Sequence, residues 1–225
     1  MIEFFKKLKR VIEGKDFYIN TTIQLAAQKI GNNSEGWWIS AENLTLPPLV
    51  FSLGLGEDVS FDVGMMHEYD AIVYGIDPTP KSIHYVKSLN LPQRFTLLDY
   101  AISDVDGLVE FNLPIDNNSI SGSITSIHSD HKIIVKSRKF ATVLDELSLD
   151  GNKIDILKMD VEGAEYKIVN DIFRAGIFPR QILIEFHHFF DSFSKKDTVE
   201  SIELLSKFGY KLFYIEGYNY SFIKV

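Results

Sequence analysis

The sequence predicts an α/β fold, a doubly wound, Rossmann-like and mostly parallel sheet with helices on both faces, and three observations carry that expectation. Short continuous apolar runs, among them LVFSLG, AIVYGID, KIDILKMD and RQILIEFHH, are what strands covered on both faces look like. Amphipathic stretches of helical length alternate with them, as parallel βαβ units require. The first run also ends in two glycines one residue apart, Gly54 and Gly56, where an open α/β sheet places its ligand.

Each element follows in order. In MIEFFKKLKRVIEG, Ile2, Phe5, Leu8 and Ile12 form one apolar stripe ringed by Lys6, Lys7, Lys9 and Arg10. The expected arrangement is a helix packed on the domain, with peripheral attachment to an acidic membrane as the other use of such a stripe. FYINTTIQLAAQKIG predicts a second helix closed by Gly31, and GWWISAENLTLPP an extended segment, so residues 1–47 read as a helical and extended N-terminal segment on a single core unit, 48–225. In that unit LVFSLG is a strand, EDVSFDVGMMHEY a helix, AIVYGID a strand and TPKSIHYVKSL a helix with Pro80 in its first turn. RFTLLDYAIS reads as the third strand and GLVEFNL as a short extended piece. The polar, aperiodic stretch 114–131 is expected to be a lid or substrate loop. Then come strand KIIVKSRKF, helix ATVLDELSL, strand KIDILKMD, helix EGAEYKIVNDIFRAG, strand RQILIEFHH and helix KDTVESIELLSKFG, with Gly176 and Gly209 as helix stops. KLFYIE and YSFIKV close the chain as a hairpin.

The bulk composition narrows the function. The 225 residues carry 23 Lys and Arg against 31 Asp and Glu, a net charge of −8, which disfavours nucleic acid and suits a small-molecule or glycan substrate. With no cysteine there is no disulfide framework and no thiolate metal site, and a reducing, cytoplasmic setting is the expectation. No run of 18 apolar residues predicts a transmembrane helix, and the N-terminus does not resemble a secretory signal.

Gly54 and Gly56 bare the backbone at the end of the first strand, and Asp77, 21 residues after Gly56, lies near the spacing at which an acid takes ribose hydroxyls. Together they predict an adenosine site. A nicotinamide cofactor normally wants a third glycine three residues on, where this chain has Val59, and Glu57 and Asp58 would repel its pyrophosphate. Those acids suit a phosphate-free cationic nucleoside, which points to S-adenosylmethionine.

The segments SLGLGEDVSFD, GIDPTPKSI, LLDYAISDVDG and above all IDILKMDVEGAEYKIVND resemble the FkbM-type S-adenosylmethionine-dependent methyltransferases, from about Leu49 to about Phe190. The resemblance implies a seven-stranded sheet with its last strand antiparallel, and O-methylation of sugar or polyketide hydroxyls. It implies that Gly54 and Gly56 line the methionine portion, that Asp77 takes the ribose, with Pro78 also a cofactor-binding residue, and that Asp99, Tyr100, Ala101 and Ile102 lie beside the adenine. Asp99 is either an adenine acceptor or a hydrated strand-end carboxylate. Many class I members carry an acid where this chain has Ser52, so the methionine ammonium is left to Glu57, Asp58 or backbone carbonyls.

At the carboxyl edge, IDILKMD delivers Asp160 and ILIEFHH delivers Glu185, His187 and His188. A hydroxyl acceptor needs a base as its bond to carbon forms, and His187 is the preferred one, with His188 and Glu185 behind it. No metal is expected, although Asp160 and Glu185 offer two hard ligands for a divalent ion. Glu162 and Glu165 read as first-turn acids offsetting a helix dipole, and Lys158 as an edge or salt-bridge residue. His67 and His84 are expected to face solvent, His128 and His131 to lie solvated in the polar loop, and Trp37 and Trp38 to pack. The sequence thus predicts an O-methyltransferase. Its rivals are a nicotinamide-dependent oxidoreductase or epimerase and a non-catalytic binding protein that keeps the fold.

Overall fold

The computed structural model describes residues 2–113 and 132–225. The N-terminal segment holds α1 (Ile2–Ile12), β1 (Gln28–Ile30) and β2 (Trp37–Ile39), the two strands pairing as a small antiparallel ribbon. The core alternates β3 (Leu49–Leu53), α2 (Ser60–Tyr69), β4 (Ile72–Ile76), α3 (Pro80–Ser88) and β5 (Phe95–Leu98). Then follow β6 (Ala101–Ile102), β7 (Gly107–Asn112), β8 (Lys132–Arg138), α4 (Phe140–Leu147), β9 (Ile156–Met159), α5 (Glu165–Arg174) and β10 (Gln181–Glu185). The chain closes with α6 (Lys195–Lys207), β11 (Tyr210–Glu216) and β12 (Asn219–Lys224).

Seven strands form one sheet in the order β11-β12-β10-β9-β3-β4-β5. Neighbours from β10 to β5 are parallel, and β12 runs antiparallel to both β10 and β11. The tail hairpin therefore inserts its last strand inside the sheet rather than at its edge. Strand order reverses between β3 and β9, which opens a crevice at their carboxyl ends. One face of the sheet packs Phe51, Leu157 and Ile182 against Phe140 of α4 and Ile172 of α5, and the other packs Val50, Ile156 and Leu183 against Met65 of α2 and Ile39 of β2. Each fully buried aliphatic or phenyl side chain contributes about 1.5–3 kcal/mol, so these continuous apolar runs are what hold the strands between the two helical layers.

Three expectations are corrected. The stretch FYINTTIQLAAQKIG is not a helix. Thr22 lies along β11, its N–H donating to the Leu212 carbonyl at 2.7 Å and its Oγ1 accepting from the Leu212 N–H at 2.8 Å, and Gly31 turns β1 toward β2 with φ of +97°. RFTLLDYAIS is broken at Asp99 and Tyr100, so that Ala101 and Ile102 leave the main sheet to pair with β8. The described members of the α1 apolar stripe do not face the domain. Phe5, Leu8 and Ile12 are exposed, while Lys7 and Arg10 hold the helix down over the rings of Tyr220 and Tyr218. The polar stretch 114–131, with His128 and His131, lies outside the described residues. Among the described residues no helix is long and apolar enough to cross a membrane.

Candidate active site

A cleft of about 360 Å³ opens at the carboxyl ends of β3, β4 and β9, bordered by Gly54, Gly56, Asp77, Ile102, Lys158 and Asp160. Its floor is the turn after β3, where both glycines adopt left-handed backbone, φ +79° at Gly54 and +58° at Gly56. The two serve different purposes. A Cβ on Gly54 would lie 1.7 Å from the carbonyl oxygen of Asp160, so this glycine lets the β3 and β9 turns touch; a Cβ on Gly56 would meet nothing within 4 Å. Only Gly56 leaves its space open.

Asp77 holds that turn in shape. One carboxylate oxygen accepts from the Leu55 N–H at 2.8 Å and the Gly56 N–H at 3.1 Å, and the other from the Thr79 N–H at 2.7 Å. A carboxylate has about four acceptor positions, so three bonds leave roughly one for a ligand hydroxyl. Pro78, Glu57, Asp58 and Ala101 border the cleft. Both acids also have structural partners, Glu57 pairing with Lys81 at 3.1 Å and Asp58 accepting from the Ser60 N–H at 2.6 Å and from the Asn32 amide. Ser52, Asp99 and Tyr100 fall outside the cleft lining. Ser52 is fully buried in β3, Asp99 faces solvent beside Lys87 at 3.8 Å, and the Tyr100 ring is buried under Lys136.

Lys158, read from the sequence as an edge or salt-bridge residue, is buried at the cleft wall. Its ammonium donates to the Gly54 carbonyl at 2.8 Å and sits 5.2 Å from the centre of the Trp37 ring. Beneath it lies Asp62, fully buried on α2, with Oδ1 lacking a hydrogen-bond partner. Burial raises the Asp62 carboxyl to about 6, outweighing the opposing pull of the Lys158 charge. The sequence carried a signal for Asp62, because it shares the helical spacing of Met65 and Met66 and so falls on the buried face.

Beyond Lys158 the cleft meets an acidic cluster. Asp160 and Glu162 border the cleft from the turn into α5, where Glu162 adopts φ of +52° and Gly163 +99°. His187 is buried, with Nε2 facing Glu162 at 3.3 Å and Asp160 at 3.7 Å. Its other ring nitrogen meets Glu165 at 3.2 Å, and Glu165 also accepts from the His187 backbone N–H at 2.9 Å and from the Gly163 N–H at 2.8 Å. Burial alone would lower the imidazole, but the Glu165 bond and the carboxylates of Glu165, Glu162 and Asp160 outweigh it and raise His187 to about 9. These carboxylates thus favour the protonated imidazole. Glu185 is pushed upward by burial and by the Asp160 carboxylate. His188 points to the opposite face, its ring nitrogens 3.1 Å from Thr198 Oγ1 and 3.5 Å from Asp16, so it does not join the cluster. The fully buried Glu165 is more than a dipole acid, and His67 and His84 face solvent.

A model of the methyltransferase FkbM domain matches residues 54–212. The chain belongs to that family. S-adenosylmethionine is its cofactor, which displaces the nicotinamide alternative. A rat protein described as probable methyltransferase-like protein 24 is 25% identical over 205 residues, covering 82% of this chain and 50% of its own length. The human protein of that description is 26% identical over 156 residues, covering 68% of this chain and 36% of its own length. The chain thus spans half or less of the curated relatives it matches. Among solved structures, a fibrillarin/Nop5p complex aligns at a TM-score of 0.48 and 10% identity, covering 81% of this chain and 75% of that chain.

Proposed function

We propose that this FkbM-family protein transfers the methyl group of S-adenosylmethionine to a hydroxyl of a sugar, glycan or related small molecule. The observation that carries the reading is the continuity of the cleft, which runs from the Asp77-pinned turn past Lys158 to the carboxylates Asp160 and Glu162. In this reading the ribose lies against Asp77, the adenine against Pro78, Ala101 and Ile102, and the methionine crosses Gly56 so that its carboxylate meets the Lys158 ammonium. The sulfonium then faces the acidic end, where charge complementarity holds it.

The acceptor oxygen attacks the methyl carbon as the carbon–sulfur bond breaks, giving S-adenosylhomocysteine and the methyl ether. The hydroxyl proton passes to a cleft carboxylate, Asp160 or Glu162, because His187 is already protonated. The enzyme's main contribution is alignment of oxygen, carbon and sulfur. The test is release of S-adenosylhomocysteine with a panel of sugars, glycans and small hydroxylated compounds, paired with calorimetry of donor binding. Donor binding with methylated oxygen in one acceptor class supports the proposal. Donor binding with no product on any hydroxyl acceptor favours another acceptor atom or a binding role and overturns it.

A further inference from the structure

We propose that Asp160, Glu185 and His187 form a binding site for one divalent cation of the manganese type, beside the donor cleft. Their three ligand atoms, two carboxylate oxygens and a ring nitrogen, lie within 4.8 Å of one another. Around a small divalent ion with ligands at about 2.0–2.1 Å, adjacent ligands are roughly 3 Å apart and opposed ones roughly 4.2 Å, so the donors, with His187 Nε2 3.7 Å from Asp160, must draw in by up to roughly 2 Å, which side-chain rotation can supply.

The histidine separates this cluster from an ordinary patch of acids. Its side chain is 2% exposed, and both ring nitrogens are committed by the fold. Nδ1 is tied to Glu165, a carboxylate with no exposed surface that is itself bonded to the His187 and Gly163 N–H groups. A buried carboxylate on the far nitrogen of an imidazole is the arrangement that orients metal-ligating histidines and raises their basicity. Nε2 is thereby aimed at the carboxylates of Asp160 and Glu162, at 3.7 and 3.3 Å. Lys158, the buried cation of the cleft wall, donates its hydrogen bond to the Gly54 carbonyl. A proton or a metal ion fits the same position, and the ion brings twice the charge.

Two oxygens and one imidazole nitrogen suit manganese better than magnesium, which prefers oxygen alone, and better than the softer metals that seek sulfur. Asp160 belongs to both the cleft and the triad, so an ion held there keeps its remaining positions toward the acceptor side. Its catalytic use rests on the methyl-transfer reading. A bound acceptor hydroxyl would become more acidic, and Glu162, outside the triad, would take its proton.

The experiment measures the ion and the donor separately on chelator-treated protein without acceptor. Manganese binding is followed by electron paramagnetic resonance of free Mn²⁺, and adenosylmethionine binding by calorimetry. The expected result is one Mn²⁺ per chain at micromolar concentration, weakened at least tenfold in Glu185→Gln and in His187→Gln, with magnesium a poor competitor. Donor affinity in Glu185→Gln stays within about threefold of wild type, because Glu185 does not border the donor cleft, and that also reports a folded chain. Wild-type protein that binds no Mn²⁺ at 1 mM overturns the site, as does stoichiometric binding that neither substitution weakens. Loss of donor binding by wild-type protein would sink the methyl-transfer reading and leave the metal result standing on its own.

Discussion

Asp62 makes a prediction in which removing an acid stabilises the protein. Its carboxyl titrates at about 6 instead of 3.8 because α2 buries it among Phe61, Met65 and the wall under Lys158. Below about pH 4 folded and unfolded chains both hold the proton, and Asp62 costs nothing. Between pH 4 and 6 the unfolded chain releases it while the folded chain keeps it, so stability falls as pH rises. Above pH 6 the folded chain has also ionised, and the full cost is in place. A shift of about 2 units at 1.36 kcal/mol each gives about 3 kcal/mol. Asp62→Asn keeps the shape without the charge and should recover most of that at pH 8. At 2–4 °C per kcal/mol for a chain of this size, the melting temperature should rise by about 6–12 °C. The assay is thermal unfolding of wild type and variant from pH 3.5 to 8.5. Curves that coincide at low pH and separate between 4 and 6 support the reasoning; a variant less stable at pH 8, or a difference independent of pH, refutes it.

Further expectations follow from the same geometry. Lys158→Met should weaken adenosylmethionine binding by 10-fold or more, since a charged hydrogen bond is worth about 1.5–3 kcal/mol, and an unchanged Kd in calorimetry would end its role. Asp77→Asn keeps one acceptor oxygen for three N–H donors, so donor affinity should fall by roughly 10- to 100-fold, with a lower melting temperature reporting the loosened turn. Gly56→Ala meets open space and should cost only the left-handed backbone, about 1–2 kcal/mol. Gly54→Ala drives its Cβ into the Asp160 carbonyl and should fail to give soluble, folded protein; equal melting temperatures for the two variants would show that the β3 and β9 turns do not depend on that contact.

The strand repeat was legible because burial on both faces leaves continuous apolar runs, and the tail hairpin because KLFYIE and YSFIKV flank a short turn. The family resemblance implied an antiparallel last strand but not its insertion between β10 and β11, since hydrophobicity does not encode strand order. Residues 17–31 misled because alanines and glutamines mimic a helix, whereas the decisive bonds run between Thr22 and Leu212, 190 residues apart. The site divides the same way. Asp77 and Asp160 were legible as strand-end acids. Lys158 and Glu165 were not, because each owes its role to a partner on another element: the Gly54 carbonyl and the His187 imidazole. The surroundings of His187 were hidden for a related reason, since three carboxylates from the β9–α5 region meet it only in the fold.

The contact between Gly54 and Asp160 gives the site its logic. The turn that Asp77 pins for the donor and the turn that carries the acidic cluster touch backbone to backbone, and Lys158 ties them again through the Gly54 carbonyl. Neither turn can shift without moving the other. In-line transfer requires sulfur, carbon and oxygen to be held in register to a fraction of an ångström, and misplacement by 1 Å can cost about 100-fold. In the proposed reading, the seam between these two turns is what would hold that register. It also accounts for the left-handed backbone at Glu162, a conformation costly for a non-glycine residue, which the chain adopts where α5 must start close enough to bring Glu165 under His187.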